Sequence, residues 1–340
     1  MKSLSIIIPM YNVAAYVERC LRSIEDQNIS KDDYEIICVN DGSPDDSRRV
    51  VLRLQKEFDN IILIDQENHG VSSARNRGVE VSQGKYLLFI DPDDYLDIKS
   101  LNRFWVYDKD EIEVCFLGFT FLNINGAKVN FISYEKFEGK IYSGLQAYFL
   151  SRGTGQIDPD RIWGILFNKD FIIKNHLFFL SNVPYLEDGE LIARILCLAQ
   201  CCIFVGGSFY QRTTRPGSAT NSSLFHTDKA TKGFLAAAKN LKRFQQDQKL
   251  NGKQKEFLNQ PIAKFVLLAV NSSIGWGNMA KLKTTLAELN ASELRVLKLE
   301  SCCRLYKLYS ILYNLSPYIS AIALVIFPKI KRMRQFLSSN

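Results

Sequence analysis

The chain has 340 residues, 46% of them hydrophobic and 23% charged, which is enough apolar material for a substantial core and excludes a disordered protein. Its net charge of +7 is uneven, because residues 1–228 carry 24 Lys and Arg against 31 Asp and Glu, whereas residues 229–340 carry 19 against 5. A basic tail on an acidic body predicts an anionic partner surface, either phospholipid headgroups or nucleic acid.

The cysteines and the N-terminus indicate a compartment. The eight cysteines form no C-x-x-C pair and several lie in apolar patterns, so we expect reduced core thiols. Residues 1–3 lead straight into the short apolar stretch Leu4–Ile8, which is followed by Pro9, and this pattern is not that of a secretory signal peptide. We therefore expect a cytoplasmic protein.

Apolar strands alternate with amphipathic helices at the start of the chain. The predicted strands are Leu4–Ile8, Tyr34–Val39, Ile61–Ile64 and Tyr86–Ile90, with helices between them. This alternation predicts a parallel sheet wound in one hand. No G-x-G-x-x-G follows the first strand and the P-loop motif is absent, which disfavours a dinucleotide site and a P-loop NTPase.

The fourth predicted strand ends in three carboxylates, Asp91, Asp93 and Asp94, around Pro92. Open α/β sheets bind ligands at the carboxyl ends of their strands. Asp91 and Asp93 are near enough in sequence for one divalent cation to bridge them with phosphate oxygens, which suits Mg or Mn better than Zn. The alternative is a solvated turn with no ligand.

The rest of the chain predicts a mixed region and then helices. Strands are expected over 114–122, 129–132, 162–167, 202–205 and 208–212, and helices over 169–174 and after Tyr185. From about Thr227 the chain is helical and rich in Lys. Its apolar end, residues 305–327, is interrupted by polar residues and Pro317, so the uninterrupted part is too short to span a bilayer.

These residues together resemble glycosyltransferase family 2, the inverting sugar-nucleotide transferases with the A-type glycosyltransferase fold. The resemblance covers roughly residues 3–220 and rests on the order of six segments: Ser5–Asn12, Val39–Asp45, Asn68–Gly78, Phe89–Asp94, Trp163–Gly164 and Glu187–Asp188. It implies an α/β fold with a mixed, mainly parallel sheet flanked by helices and a C-terminal α-helical appendage. We expect a catalytic domain over 1–222, with a nucleotide-binding half (1–97) and an acceptor half (98–222), and a basic helical region over 223–340.

Five residues match family positions that bind the nucleotide. Pro9 ends the first strand in a rigid turn on which a base can rest, and Tyr11 adds an aromatic wall. Asp41 is expected to accept the imide N–H of uracil, unless its N-D-G-S segment is an ordinary turn. Asn68 and Arg75 resemble further nucleotide contacts, although Arg75 could instead be an exposed helix arginine.

The carboxylates receive their roles from the same resemblance. Asp91 resembles the ribose and diphosphate contact, and Asp93 the direct ligand of Mn²⁺ or Mg²⁺, which would act as a Lewis acid on the leaving diphosphate. Asp94 fits a turn better than a ligand position. Asp188 resembles the general base, and Glu187 would orient the acceptor or influence the base through its charge. The alternative for this pair is helix capping alone.

Three further residues are candidates for binding substrate. Trp163 matches a position that often forms an acceptor-sugar platform, and a core tryptophan is the alternative. Arg212 and Arg215 resemble the basic loop that closes over the diphosphate. The Q-x-x-R-W motif of processive synthases is absent, since Gln211 and Arg215 are one residue too far apart and Pro216 replaces the Trp. One sugar per binding event is therefore expected.

The predicted activity is transfer of a hexose from a UDP-sugar to a hydroxyl of a glycan or lipid-linked acceptor, in bacterial surface polysaccharide synthesis. The alternative is a catalytically silent scaffold that binds a sugar nucleotide and recruits a partner enzyme. The basic tail predicts a peripheral contact with an anionic membrane, at the inner face of the plasma membrane, or a helical subdomain packed on the core or on a second copy in a homo-oligomer. Nucleic acid is disfavoured because no recognised binding module accompanies the charge.

Overall fold

The computed structural model describes residues 2–101, 112–152, 160–181, 183, 185–214, 223–274 and 279–325. The chain forms two compact units. The first, here called the sheet unit, comprises residues 1–181 and 198–218, and the second, the helical unit, comprises residues 182–197 and 219–340. The division of the chain predicted at residue 222 stays a prediction.

The N-terminal part of the sheet unit has the predicted alternation of strands and helices. Strands β1 to β4 span Leu4–Met10, Tyr34–Asp41, Ile61–Gln66 and Tyr86–Phe89, and helices α1 to α3 span Val17–Glu25, Ser47–Leu54 and Val71–Val81. Strand β1 lies between β2 and β4, β3 lies outside β2, and all four run parallel. Every residue of β1, β2 and β4 is buried, which explains why their sequences are largely apolar runs rather than alternating patterns.

The second half of the sheet is mixed, as predicted. Its elements are β5 (Tyr95–Leu96), β6 (Val114–Leu122), β7 (Lys128–Ile132), α4 (Gly144–Arg152), β8 (Ile165–Asn168), α5 (Lys169–Lys174) and β9 (Cys202–Arg212). The strand order is β3-β2-β1-β4-β8-β6-β9-β5, with β7 on β6. Strand β8 runs antiparallel to both β4 and β6 and so joins the two halves.

Strand β9 corrects one sequence prediction. Two short strands were expected over 202–205 and 208–212, but the chain continues as a single strand whose register against β6 shifts between Leu117 and Phe119. At that shift a Cβ on Gly118 would lie 1.9 Å from the carbonyl oxygen of Gly207. The two backbones therefore approach closely only because Gly118 has no side chain.

The helical unit is built around one buried helix. Its helices are α6 (Glu187–Leu198, of which all but Leu198 belongs to this unit), α7 (Asp228–Gln245), α8 (Gly252–Phe257), α9 (Asn259–Ser273), α10 (Met279–Ala291), α11 (Arg304–Leu315) and a last helical segment over 317–325. Helix α9 is buried along most of its length and packs against α7, α10 and α11. In the part of the chain that the structure describes, no helix is long and apolar enough to cross a membrane.

The buried carboxylate of Glu190 forms an ion pair within α6 and a hydrogen bond with α7. The guanidinium of Arg194 donates to both carboxylate oxygens of Glu190, at 2.7 and 2.8 Å, and the side chain of Asn240 donates to the same carboxylate at 2.6 Å. Glu190 is 1% exposed. Because a buried carboxylate is stable only with such partners, this contact fixes the helix that carries Glu187 and Asp188.

Gly78 allows helix α3 to pack closely on strand β1. A Cβ at position 78 would lie 2.4 Å from Cγ2 of Ile7. We expect Gly78→Ala to lower the free energy of unfolding by about 1–3 kcal/mol, as overpacking of a core does. Urea denaturation followed by circular dichroism measures the loss. In the double variant Ile7→Ala/Gly78→Ala the opposing methyl is gone, so the loss should be smaller than the sum of the two single losses, and strict additivity would contradict the contact.

Candidate active site

The candidate residues of the sheet unit gather at one edge of the sheet. Pro9 is buried within β1, which continues to Met10, so it does not end the strand as predicted. Asp41 is the last residue of β2, and Asp91 follows the end of β4. Because these strands are parallel neighbours, their carboxyl ends meet at the same edge, where open α/β sheets bind ligands. Tyr11 stands there with 51% of its surface exposed, so its ring is accessible to a base.

Asp41 has a structural role that the sequence did not predict. It is 3% exposed, and its Oδ1 accepts hydrogen bonds from the side chain of Gln66 (2.7 Å) and the backbone N–H of His69 (2.9 Å). Its Oδ2 accepts one hydrogen bond, from the backbone N–H of Gly70 at 2.8 Å. Asp41 thereby fixes the loop that enters α3, which includes the exposed Asn68. A carboxylate offers about four lone-pair positions, so Oδ2 can accept one more donor.

Arg75 and Asp91 form an ion pair between α3 and the acidic turn. Nη2 of Arg75 lies 3.0 Å from Oδ1 of Asp91, and the guanidinium also lies over the ring of Phe179, at 5.1 Å from its centroid. Arg75 is 3% exposed, so the alternative of an exposed helix arginine is wrong. The Asp91 side chain is 31% exposed, so the pair reaches solvent through its carboxylate.

Asp94 holds the acidic turn in place from within the core. Its carboxylate accepts hydrogen bonds from the hydroxyl of Tyr210 (2.7 Å) and from the backbone N–H of Thr213 (2.6 Å), and the Tyr210 hydroxyl in turn accepts from the backbone N–H of Asp91 at 3.1 Å. Burial, together with the charges of Asp91 and Asp93, raises the pKa of Asp94 well above its usual range. Burial also raises the pKa of Tyr210, so its hydroxyl remains a donor. This agrees with the expectation that Asp94 is a turn residue rather than a ligand.

Asp93 is fixed through its backbone. Its carbonyl accepts hydrogen bonds from the hydroxyl of Thr213 (2.7 Å) and from Nη2 of Arg19 (2.6 Å). Among the described residues, no group of three or more His, Cys, Asp or Glu side chains could hold a metal ion. Asp91 and Asp93 would therefore supply two carboxylates, and a donor diphosphate and water the other oxygens, which is a set that fits Mg²⁺ or Mn²⁺.

Trp163 is mostly buried. It is 9% exposed, its ring stacks on Tyr210 at a centroid distance of 4.7 Å, and its edge meets Phe119 at 5.0 Å. A sugar platform needs an open ring face, so this burial favours the core alternative that the sequence left open. The platform role stays a prediction.

The remaining candidates lie at the end of β9 and at the start of α6. The guanidinium of Arg212 lies over the ring of Phe121, at 5.2 Å from its centroid, while Arg215 lies outside the described residues. Glu187 and Asp188 are partly exposed and lie in the first turn of α6. They belong to the helical unit, whereas the other described candidates belong to the sheet unit.

Sequence reasoning missed the residues that support the acidic turn. Tyr210, Thr213 and Arg19 have no motif of their own, and each meets the turn through a contact distant in sequence. Arg161 was also missed: it is 2% exposed, donates to the carbonyl of Leu117 at 3.1 Å and lies over the Trp163 ring. The only available signal was a charged residue next to an apolar, strand-like run.

The Tyr210 hydroxyl provides the test of this support. Tyr210→Phe removes one donor from Asp94 and one acceptor from the backbone of Asp91, so we expect a loss of about 1–3 kcal/mol in the free energy of unfolding, measured in urea. Metal-dependent UDP binding, measured by calorimetry, should weaken as well, because the turn is less well fixed. Tyr142→Phe is the matched control, since its ring packs on Phe137 and Phe204 and, within the described residues, its hydroxyl forms no hydrogen bond. Equal behaviour of the two variants would contradict the role given to Tyr210.

Comparisons with known proteins agree with this geometry. Residues 5–153 match the family model described as Glycosyl transferase family 2. The poly(ribitol-phosphate) beta-glucosyltransferase of Bacillus spizizenii is 35% identical over 128 residues, which are 37% of this chain and 20% of that protein. The uncharacterized glycosyltransferase EpsJ of Bacillus subtilis is 39% identical over 189 residues, 54% of this chain and 53% of that one. The aligned regions thus span about half or less of these curated relatives.

A solved structure resembles the chain over almost its whole length. S. aureus TarS 1-349 in complex with UDP-GlcNAc superposes with a TM-score of 0.69 at 17% sequence identity, covering 95% of this chain and 91% of that one. At this identity the likeness shows the fold, which is the predicted A-type glycosyltransferase fold. The family match covers residues 5–153, which include Asp41, Arg75 and Asp91, so this part of the chain belongs to glycosyltransferase family 2.

Proposed function

We propose that the protein is an inverting glycosyltransferase that moves a hexose from a UDP-sugar to a hydroxyl of a glycan or lipid-linked acceptor in bacterial surface polysaccharide synthesis. The observation that carries this proposal is the Arg75–Asp91 ion pair at the end of β4, at the same sheet edge as Asp41. Support comes from the relative whose name gives it a poly(ribitol-phosphate) acceptor and from the TarS structure that contains UDP-GlcNAc.

The donor pocket is proposed to select uracil through Asp41. Its Oδ2 has room for one more hydrogen bond beside the one from Gly70, and the imide N–H of uracil is such a donor. Cytosine has no donor at that position, so UDP should bind more tightly than CDP. The exposed ring of Tyr11, next to the rigid Pro9, would cover one face of the base, and Asn68 would add a polar contact.

The acidic turn is proposed to hold the diphosphate. Asp93 and Asp91 would bind Mn²⁺ or Mg²⁺, which as a Lewis acid neutralises the charge that develops on the departing UDP. Arg75 occupies one carboxylate oxygen of Asp91 through the ion pair, so the other oxygen remains available to the UDP-sugar. Arg212 and Arg215 add positive charge for the diphosphate.

Asp188 is proposed as the general base. It removes the proton of the acceptor hydroxyl while the oxygen attacks the anomeric carbon from the face opposite the diphosphate. The new C–O bond forms as the bond to the phosphate oxygen breaks, so the configuration inverts and UDP leaves. Glu187 would orient the acceptor beside it. A lipid-linked acceptor would bring the protein to the inner face of the plasma membrane, whereas a homo-oligomer stays a prediction from the sequence.

The base is tested by Asp188→Asn. We expect kcat for UDP release, measured over a panel of UDP-sugars with Mn²⁺ and an acceptor, to fall by about 10²–10⁴-fold, while the Kd for UDP stays unchanged. Asp170→Asn is the matched control, because Asp170 is an exposed carboxylate in the first turn of α5. Turnover retained in Asp188→Asn would assign the base to another residue. UDP binding without turnover of any donor would favour the silent scaffold.

The metal ligand is tested by Asp93→Asn. We expect this variant, and the wild type in EDTA, to lose at least about 10²-fold in kcat/KM, since the leaving diphosphate then has no Lewis acid. Asp97 is an exposed aspartate three residues after Asp94, and its side chain accepts a hydrogen bond from the backbone N–H of Ile98. Asp97→Asn is therefore a close control and should keep activity. Full activity of the wild type in EDTA would refute a metal-assisted transfer.

A further inference from the structure

The end of the helical unit exposes its aliphatic side chains. Helix α11 and the segment 317–325 carry seven large apolar or aromatic residues that are between 41% and 73% exposed: Leu305, Leu308, Ile311, Leu315, Tyr318, Ile319 and Ile322. Most are three or four residues apart, so they line one helical face. This set is here called the C-terminal apolar stripe.

Over residues 304–325, the buried face of these helices contains no large aliphatic side chain: it carries Ser310, Tyr313, Pro317, Ser320, Ala321 and Ala323. Ser310 and Ser320 are fully buried, and within the described part of the chain their hydroxyls have no hydrogen-bond partner. A helix at a water-facing surface normally buries its leucines and exposes its serines. Here the large aliphatic side chains are outside and two serines are inside, which suits a helix whose outward face meets an apolar medium.

The stripe is held in a defined position rather than loosely attached. The side chain of Asn314 exchanges two hydrogen bonds with the backbone of Leu297, both at 2.8 Å, and the buried Tyr313 donates to the carbonyl of Leu294 at 3.0 Å. The backbone N–H of Cys303 donates to the side chain of Gln260 in α9 at 2.7 Å. The exposure of the stripe is therefore a feature of the packed unit.

The charge around the stripe favours one kind of partner. Residues 301–340 contain no Asp or Glu and six basic residues: Arg304, Lys307, Lys329, Lys331, Arg332 and Arg334. An anionic headgroup layer attracts such a segment by about 1 kcal/mol per basic residue near its surface. A second copy docked around a two-fold axis would instead bring this positive segment onto itself.

We propose that the C-terminal apolar stripe is a docking surface for an anionic phospholipid bilayer, with α11 and the segment 317–325 lying in the plane of the interface. Its aliphatic side chains enter the boundary between headgroups and acyl chains, and the exposed Arg304 and Lys307 contact the headgroups. Its purpose, delivery of the enzyme to a lipid-linked acceptor, rests on the proposed function, but the contact itself does not.

The test is flotation of the full chain with vesicles, without any donor. We expect binding to vesicles of phosphatidylglycerol and phosphatidylcholine and much weaker binding to phosphatidylcholine alone. The variant Leu308→Glu/Ile311→Glu should bind the anionic vesicles at least about tenfold more weakly, because charged side chains then replace two aliphatic ones that would enter the bilayer. The control Ile98→Glu/Ile141→Glu changes two aliphatic residues of the sheet unit that are 71% and 62% exposed, and it should bind as the wild type does.

Two outcomes would overturn the proposal. One is equal vesicle binding by the stripe variant and the wild type. The other is light scattering that shows an oligomeric wild type and a monomeric stripe variant, which would make the stripe an interface between copies. UDP release with a water-soluble acceptor is measured in parallel and should be the same in both proteins. If the wild type releases no UDP with either a water-soluble or a lipid-linked acceptor, the proposed transfer is refuted and the vesicle result still stands.

Discussion

The buried carboxylate of Asp94 is the constraint on which the acidic turn depends. It takes one hydrogen bond from Tyr210 and one from the backbone of Thr213, and both partners come from the end of β9. Strand β9 is separated from β4 by two other strands, so this contact links the turn after β4 to the far half of the sheet. With Asp94 withdrawn into the core, Asp91 and Asp93 are the two carboxylates of the turn that remain partly exposed.

The same edge concentrates groups suited to a nucleoside diphosphate. Each is placed by an element with its own reason for its position: Asp41 by the buried strand β2, Arg75 by a helix that packs closely on β1 through Gly78, and Asp91 by the turn that Tyr210 fixes. Under the proposed function, Asp91 and Asp93 would bind the metal ion, and the buried Arg75 would hold Asp91 in place through their ion pair. The geometry is therefore consistent with the chemistry that the family performs.

Much of this could be predicted because it depends on local patterns. The bounds of α5 (Lys169–Lys174) and β6 (Val114–Leu122) agree with prediction, since apolar spacing and flanking turns determine both. Strand β9 was divided wrongly because the pair Gly206–Gly207 has the composition of a turn, whereas it is the space that Gly118 leaves in β6 that lets the strand continue.

Contacts between distant residues could not be predicted. Nothing near Tyr210 in the sequence points to Asp94, which lies 116 residues away, and a single aspartate in a turn gives no sign that it is buried. The hydrogen bonds of Asp41 to the loop before α3 were missed for the same reason. The exposed aliphatic face of α11 also needed the packing on α9, because the sequence does not show which face of the helix is covered.

A crystal structure of the protein with UDP and Mn²⁺ tests the central claim most directly. We expect the uracil imide nitrogen to lie about 3 Å from Oδ2 of Asp41. We also expect the metal to lie between Asp93 and the diphosphate, with the Arg75–Asp91 pair intact. UDP bound away from the ends of β2 and β4, or a metal that does not contact Asp93, would contradict it.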